Sequence, residues 1–209
     1  MTRGSANNVA WVSARVVVAV LFILLYVIRL SVVNDGFKGF PKEIFDRADV
    51  VSYEDGERGY EMSEGDIEVR VISFNSVTPE EIERKYDYVD PIASNGDVQD
   101  MRFLIVGLAV RNTSSVEKNV FVGKYELESG AWINGLNFPL FLLMNENESA
   151  QSVIASGEEE RIYLPYSAYD QQFGDNWSGF DKRSFEIILA VQPKISLIDL
   201  GRFDDLRTL

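Results

Sequence analysis

The stretch Met101–Asn112, MRFLIVGLAVRN, limits the fold more than any other part of the chain. In an extended segment, successive side chains point to opposite faces. Leu104, Val106, Leu108 and Val110 then share one face, and Phe103, Ile105, Gly107 and Ala109 share the other. Both faces are apolar. Such a strand belongs in the middle of a sheet, with a second sheet on one side and some other cover on the far side.

The neighbouring segments supply the rest of a β architecture. Ile67, Val69 and Val71 alternate with Glu68 and Arg70, as a half-buried strand does. Further short strands are expected at Lys118–Leu127, Ala131–Ile133, Leu140–Leu143, Arg161–Leu164 (ending at Pro165), Phe185–Val191 and Ile195–Leu200. Between the first two strands, Thr78-Pro79-Glu80-Glu81 is a capping box with proline at N1, and it predicts a short helix to about Tyr86. Phe40–Ala48 reads as a second short helix with Pro41 in its first turn, and Ser167 as the cap of a helical turn that Gly174 stops. Asp90–Asp100 and Asn145–Glu160 are loops by composition. Helices do not alternate with strands, so the expected class is all-β, an antiparallel sandwich with one or two short helices.

The other strong feature is Val16–Ile28, VVVAVLFILLYVI, uncharged and bracketed by Arg15 and Arg29. At helical rise this core spans about 20 Å, short of a hydrocarbon layer of about 30 Å. Two readings compete. The core fits the h-region of a cleaved signal peptide. Extended to Val9–Val33, it fits a tilted membrane helix, with Arg15 and Arg29 snorkelling and Trp11 and Tyr26 near headgroup depth. No A-x-A-like pair follows the core, and the absence of Cys excludes a lipid-modified cysteine. The uncleaved anchor is the favoured reading. The expected organisation is a short cytoplasmic N-terminus (1–15), an anchor (9–33, uncharged core 16–28), a juxtamembrane linker (34–65) and an extracytoplasmic domain (66–209).

Composition excludes several activities. Net charge is −13, and the first thirty residues hold three Arg and no acid. The remainder therefore carries 17 basic against 33 acidic residues, a net −16. Such a body repels nucleic acid and anionic headgroups. There is no Cys and no His, which removes cysteine nucleophiles, Cys/His zinc sites, Fe–S clusters, disulfides and Ser–His–Asp triads. Asn112, Asn147 and Asn176 stand in Asn-x-Ser/Thr triplets, a pattern common by chance.

Carboxylates are the remaining acid–base groups. Glu158-Glu159-Glu160 precede a strand, where neighbours diverge, so a solvated turn is expected. Glu80, Glu81 and Glu83 favour a helix dipole. Asp170, Asp175 and Asp181 lie in an oxygen-rich loop without the spacing of an EF-hand, and no cofactor or metal is assigned. The same loop is rich in aromatic residues. Tyr169, Phe173, Trp177 and Phe180 are the candidate interaction surface, with plugging of one end of the sandwich as the competing reading.

Three motifs recur in order: DIEVRVISF (Asp66–Phe74), FLIVGLAVRNTSS (Phe103–Ser115) and SGEEERIYLPY (Ser156–Tyr166). This arrangement resembles the immunoglobulin-like domains of exported, often membrane-anchored bacterial proteins of the telokin-like or extracellular-antigen-like kind. The tail, with FGDNW and FEIILAVQP, also resembles domains of unknown function in Gram-positive anaerobes. The resemblance implies an immunoglobulin-like fold and an envelope location, and it transfers no catalytic residue. The expected function is a non-enzymatic, single-pass envelope protein. It would contact the bilayer through its N-terminal helix, present the domain as a binding or structural module to an envelope protein, and bind no nucleic acid. The alternative is an exported carboxylate-dependent hydrolase with a cleaved signal peptide.

Overall fold

The computed structural model describes residues 18, 20–30, 41–52, 66–93, 98–146, 149–190 and 195–204. The chain divides into two units, Met1–Pro41 and Lys42–Leu209. In the first, the described residues 18 and 20–30 are helical. Among the described residues, no helix is long and apolar enough to cross a membrane. Of the expected span, residues 9–17, 19 and 31–33 lie outside the described residues, and Trp11 and Arg15 with them.

Among the described residues, the second unit holds eleven strands: β1 (Lys42–Asp46), β2 (Val51–Ser52), β3 (Ile67–Val77), β4 (Met101–Asn112), β5 (Lys118–Phe121), β6 (Glu126–Ser129), β7 (Trp132–Asn134), β8 (Gln151–Ile154), β9 (Glu159–Tyr169), β10 (Phe185–Ala190) and β11 (Ile195–Gly201). Its helices are α1 (Pro79–Tyr86), α2 (Phe138–Asn145) and the single turn α3 (Asp170–Phe173), which continues as a 3-10 helix over Gly174–Lys182. One sheet has the order β1-β11-β10-β6-β7 and the other β2-β3-β4-β9, with β5 and β8 as a separate ribbon. The two larger sheets face each other. Val69, Val71, Leu104, Val106, Leu108, Ile162 and Leu164 from one meet Leu127, Ile187, Leu189, Ile198 and Leu200 from the other. The expected antiparallel sandwich is present, with one departure: β1 runs parallel to β11.

β4 occupies the place its sequence demands, paired with β3 on one side and β9 on the other. Its even-numbered face enters the inter-sheet core. On the other face, Met101, Phe103 and Ile105 pack with Ile82 of α1 and Leu140 of α2, so two helices are the second cover. The capping box forms as predicted: the Thr78 amide donates to Glu81 Oε2 (3.0 Å), and the Glu81 amide to Thr78 Oγ1 (3.4 Å).

Four local expectations are corrected. Lys42–Asp46 is an edge strand rather than a helix, because Phe45 packs against the core while Lys42, Ile44 and Asp46 face out, a period of two. The stretch read as linker thus contributes β1 and β2 to the sandwich. Leu140–Leu143 is helical rather than extended: the Asn137 side chain caps the Leu140 amide (3.2 Å), and Pro139 sits in the first turn. The Lys118–Leu127 strand is broken by a 3-10 turn at Val122–Lys124. β9 does not end at Pro165 but continues to Tyr169, because proline falls where the edge needs no donor: the Pro165 carbonyl accepts from the Asn137 amide (2.8 Å). Ser167 therefore lies inside the strand and caps nothing.

The C-terminal end of β11 is tied back by an ion pair. Arg47, in the turn after β1, makes a two-point contact to Asp204 (2.6 and 2.6 Å), which also accepts the Phe74 amide (2.8 Å). Hydrogen bonds from Arg47, with the Phe74 amide, hold the Asp204 carboxyl below its ordinary range. A depressed folded-state value gives stability that is whole above the unfolded value and lost as pH falls through the folded one. The stability gap between the wild type and Asp204→Asn should therefore be full at neutral pH and close below about pH 4. Urea unfolding at several pH values measures it.

Candidate functional site

The outer face of the β2-β3-β4-β9 sheet is covered by α1 and α2 over one half only. Where the cover ends, a trough of about 470 Å³ opens. Its lining includes Arg70 and Ile72 of β3, Lys85 and Tyr86 of α1, Met144 of α2, and Arg161 and Tyr163 of β9. Pairing register explains the hollow. Gly107 lies between Ser73 and Tyr163, and Ala109 between Arg70 and Arg161. The central strand thus offers almost no side chain between two large-residue flanks. A Cβ on Gly107 would come within 2.3 Å of the Ser73 hydroxyl and 3.1 Å of Ile72 Cγ1, so any larger residue here would have to displace both β3 side chains.

The trough gathers positive charge. Arg70 and Arg161 are two strand spacings apart, about 10 Å between backbones. Lys85 joins them, its ammonium 5.2 Å from the centre of the Tyr86 ring. Arg70 makes one long, exposed contact to Glu159 (3.5 Å). Among the described residues, Arg161 and Lys85 form no ion pair. Asp204 also borders the trough, but Arg47 already neutralises it. Three cations converge on one hollow in a strongly acidic chain.

The open edge of β9 beside the trough is closed by asparagines. The Asn145 side chain imitates a neighbouring strand, accepting from the Tyr163 amide (2.8 Å) and donating to the Tyr163 carbonyl (2.8 Å). Asn134 donates to the Ser167 carbonyl (2.5 Å). The edge is thereby protected from pairing with another chain.

A second polar centre lies under α2 and is sealed. Asp90 is buried and accepts from the Tyr169 hydroxyl (3.0 Å), the Ser167 hydroxyl (2.9 Å), the Asn137 amide group (3.2 Å) and the Ile92 amide (2.9 Å). Burial first, and then the Asp90 carboxylate, push the Tyr169 hydroxyl up to about 12. No lining residue of the trough belongs to this centre, and its saturation makes it a structural hub.

The residues singled out in the sequence fall elsewhere. Tyr169, Phe173 and Phe180 are buried, and Trp177 is half-buried against the core. This corrects their reading as an interaction surface: Phe173, Trp177 and Phe180 plug the sandwich, Tyr169 packs with Ile82 and Leu140 on the outer face of the sheet, and Trp177 spends its N–H on Asp100 (3.0 Å). Asn112 is fully buried, donating to the carbonyls of Val116 (2.7 Å) and Ile154 (2.9 Å) and accepting from Ser114, so its sequon is closed. Asn147 lies outside the described residues. Glu158 and Glu159 are exposed and Glu160 is half-buried, its carboxyl pushed up by burial, so the three do not converge. Among the described residues, no group of three or more metal-ligating side chains forms. The trough was missed because its cations sit on three elements far apart in sequence; the small pair Gly107 and Ala109 on one face of β4 was the available signal.

A family model for a domain of unknown function, DUF5028, matches residues 42–195. The chain belongs to the DUF5028 family. The match begins at β1, in agreement with the start of the compact unit. The finer telokin-like or extracellular-antigen-like classification does not emerge from it. Comparison with curated proteins finds no match. Among solved structures, this DUF5028 domain is similar to a Bacillus subtilis protein described as a "putative lipoprotein" (14% identity, 73% of this chain and 40% of that one, TM-score 0.44). It is also similar to an uncharacterized β-sandwich protein of Clostridium difficile 630 (9% identity, 78% and 99%, TM-score 0.37) and to a functionally unknown protein of Listeria monocytogenes EGD-e (12% identity, 66% and 76%, TM-score 0.39). The chain spans less than half the length of the Bacillus protein. At these TM-scores, the overlaps are too loose to carry residues or roles across.

Proposed function

We propose that this DUF5028 protein is a single-pass, membrane-anchored module that presents an immunoglobulin-like sandwich outside the cell membrane for binding. The observation that carries this reading is the N-terminal helix. Its apolar side chains stand open, Phe22 at 69%, Ile23 at 63% and Leu25 at 62% exposure. Contiguous apolar surface of this kind calls for a nonpolar environment. Tyr26 and Arg29 lie on the same helix at the positions of an interfacial belt, and Trp11 and Arg15 supply the other belt from the sequence. A short basic N-terminus stays inside, and the acidic domain lies outside, where it repels anionic headgroups. The activity is binding rather than catalysis, directed at an envelope component and not at nucleic acid.

Alkaline carbonate extraction of cells expressing the full chain tests the anchoring. Retention in the membrane pellet is expected. Quantitative release of the intact chain into the soluble fraction would overturn the anchored reading.

A further inference from the structure

We infer that the basic trough is a binding site for a small phosphate ester whose esterified group is flat or apolar. The inference rests on reading the chain as a binding module and names the ligand class of that module.

Charge comes first. The domain as a whole repels anions, so a long polyanion tracking its surface is disfavoured at every point outside the trough. A compact anion meets only the local field, and there Arg70, Lys85 and Arg161 converge. The ligand is therefore small and multiply charged. Geometry comes second. Arg70 and Arg161 approach from opposite walls, across the strip of Gly107 and Ala109, which offers only a methyl group. A carboxylate presents its oxygens in one plane and suits a single guanidinium fork. A tetrahedral phosphoryl group presents oxygens in several directions and can accept from two forks and an ammonium together. The lining supplies the third point. Tyr86 and Tyr163 add flat faces and hydroxyl donors, and Ile72 and Met144 add apolar contact beside the cations. Inorganic phosphate would use only the charged half of the trough, whereas an ester with a ring fills both halves. Asp204 would repel such a ligand if free, but its pairing with Arg47 cancels most of that charge.

Phenyl phosphate is the probe, titrated by calorimetry into the full chain in neutral detergent micelles, with tyrosine side-chain resonances followed by NMR. Phenyl phosphate is expected to bind more tightly than inorganic phosphate or benzoate, to weaken as salt rises, and to shift the Tyr86 and Tyr163 signals. Arg161→Gln should weaken it by about 10-fold or more, the range of a lost charge-assisted hydrogen bond, and Arg70→Gln with Arg161→Gln should abolish it. Arg161 is exposed, so the variant should keep the wild-type unfolding midpoint. Arg111→Gln, a cation on the same sheet face but outside the trough lining, should bind as the wild type does. No heat and no tyrosine shift with phenyl phosphate would overturn the inference, as would binding unchanged in Arg161→Gln or benzoate binding equally well. These readouts do not depend on anchoring. Release of the chain by alkali would remove the membrane reading and leave the ligand result standing.

Discussion

Replacing Asp90 with alanine should cost the domain about 3–5 kcal/mol, among the larger effects of a single substitution. The carboxylate is 3% exposed. Its two oxygens bind the Tyr169 and Ser167 hydroxyls, the Asn137 amide group and the Ile92 amide, drawn from β9, the start of α2 and the loop after α1. Removing it leaves several buried donors without a partner, each at a cost of about 1–3 kcal/mol, partly offset by relaxation. The consequence spreads, because Asn137 also accepts the Tyr88 hydroxyl (3.0 Å) and caps α2 at Leu140. Urea unfolding followed by tyrosine fluorescence measures the loss, and a midpoint unchanged from wild type would contradict the hub. Asp90→Asn supplies a second readout. The Tyr169 hydroxyl titrates at about 12 because of burial and then the adjacent carboxylate. Removing the negative charge should lower that value while burial keeps it above the ordinary one. The sign for stability follows. The raised folded-state value makes the Tyr169 contribution whole below pH 10 and erodes it as pH rises toward 12. The stability lost between pH 10 and 12 should therefore be smaller in Asp90→Asn than in the wild type.

Asp90 also shows why one part of the molecule could be read from sequence and another could not. Signals confined to adjacent residues were legible. Met101–Asn112 declared a central strand because its own side chains are apolar on both faces, and Thr78–Glu81 declared a helix start because the capping atoms lie three residues apart. Asp90 sits in a segment whose composition says only loop, and its side-chain partners are 47 to 79 residues away in the chain. The same distance hid β1, whose parallel partner lies at the far end of the domain. Phe138–Asn145 failed for another reason. PLFLLM is apolar on every side, so no polar stripe reveals a period of 3.6, and the choice of helix rests on Asn137 and on burial beneath the sheet's outer face. The trough combines both difficulties: its cations are unremarkable surface residues until strand register sets Arg70 and Arg161 either side of Ala109.

Phe180→Ala should destabilise the domain by about 3–5 kcal/mol, although it lies in a loop that the sequence offered as a binding surface. Loop aromatics presented to a partner are exposed, and truncating them leaves stability nearly unchanged while removing affinity. Phe180 is 3% exposed, and its ring lies 4.5 Å from Trp177, 5.0 Å from Phe173, 5.7 Å from Phe185 and 5.9 Å from Phe203, centre to centre. Phe185 in turn meets Phe74 of the opposite sheet at 5.5 Å, edge to face. The loop between β9 and β10 is therefore the closure of the inter-sheet core. Deleting one ring opens a cavity that four rigid neighbours cannot collapse to fill, so the cost falls at the upper end for a buried aromatic. Trp177→Ala should cost less in packing, because that ring is half-buried, and should add the loss of its bond to Asp100. The decisive comparison is between Phe180→Ala and Arg161→Gln. The first should lower the unfolding midpoint with phenyl phosphate binding retained in the folded fraction, and the second should do the reverse. A Phe180→Ala domain as stable as the wild type would return the aromatic loop to the surface.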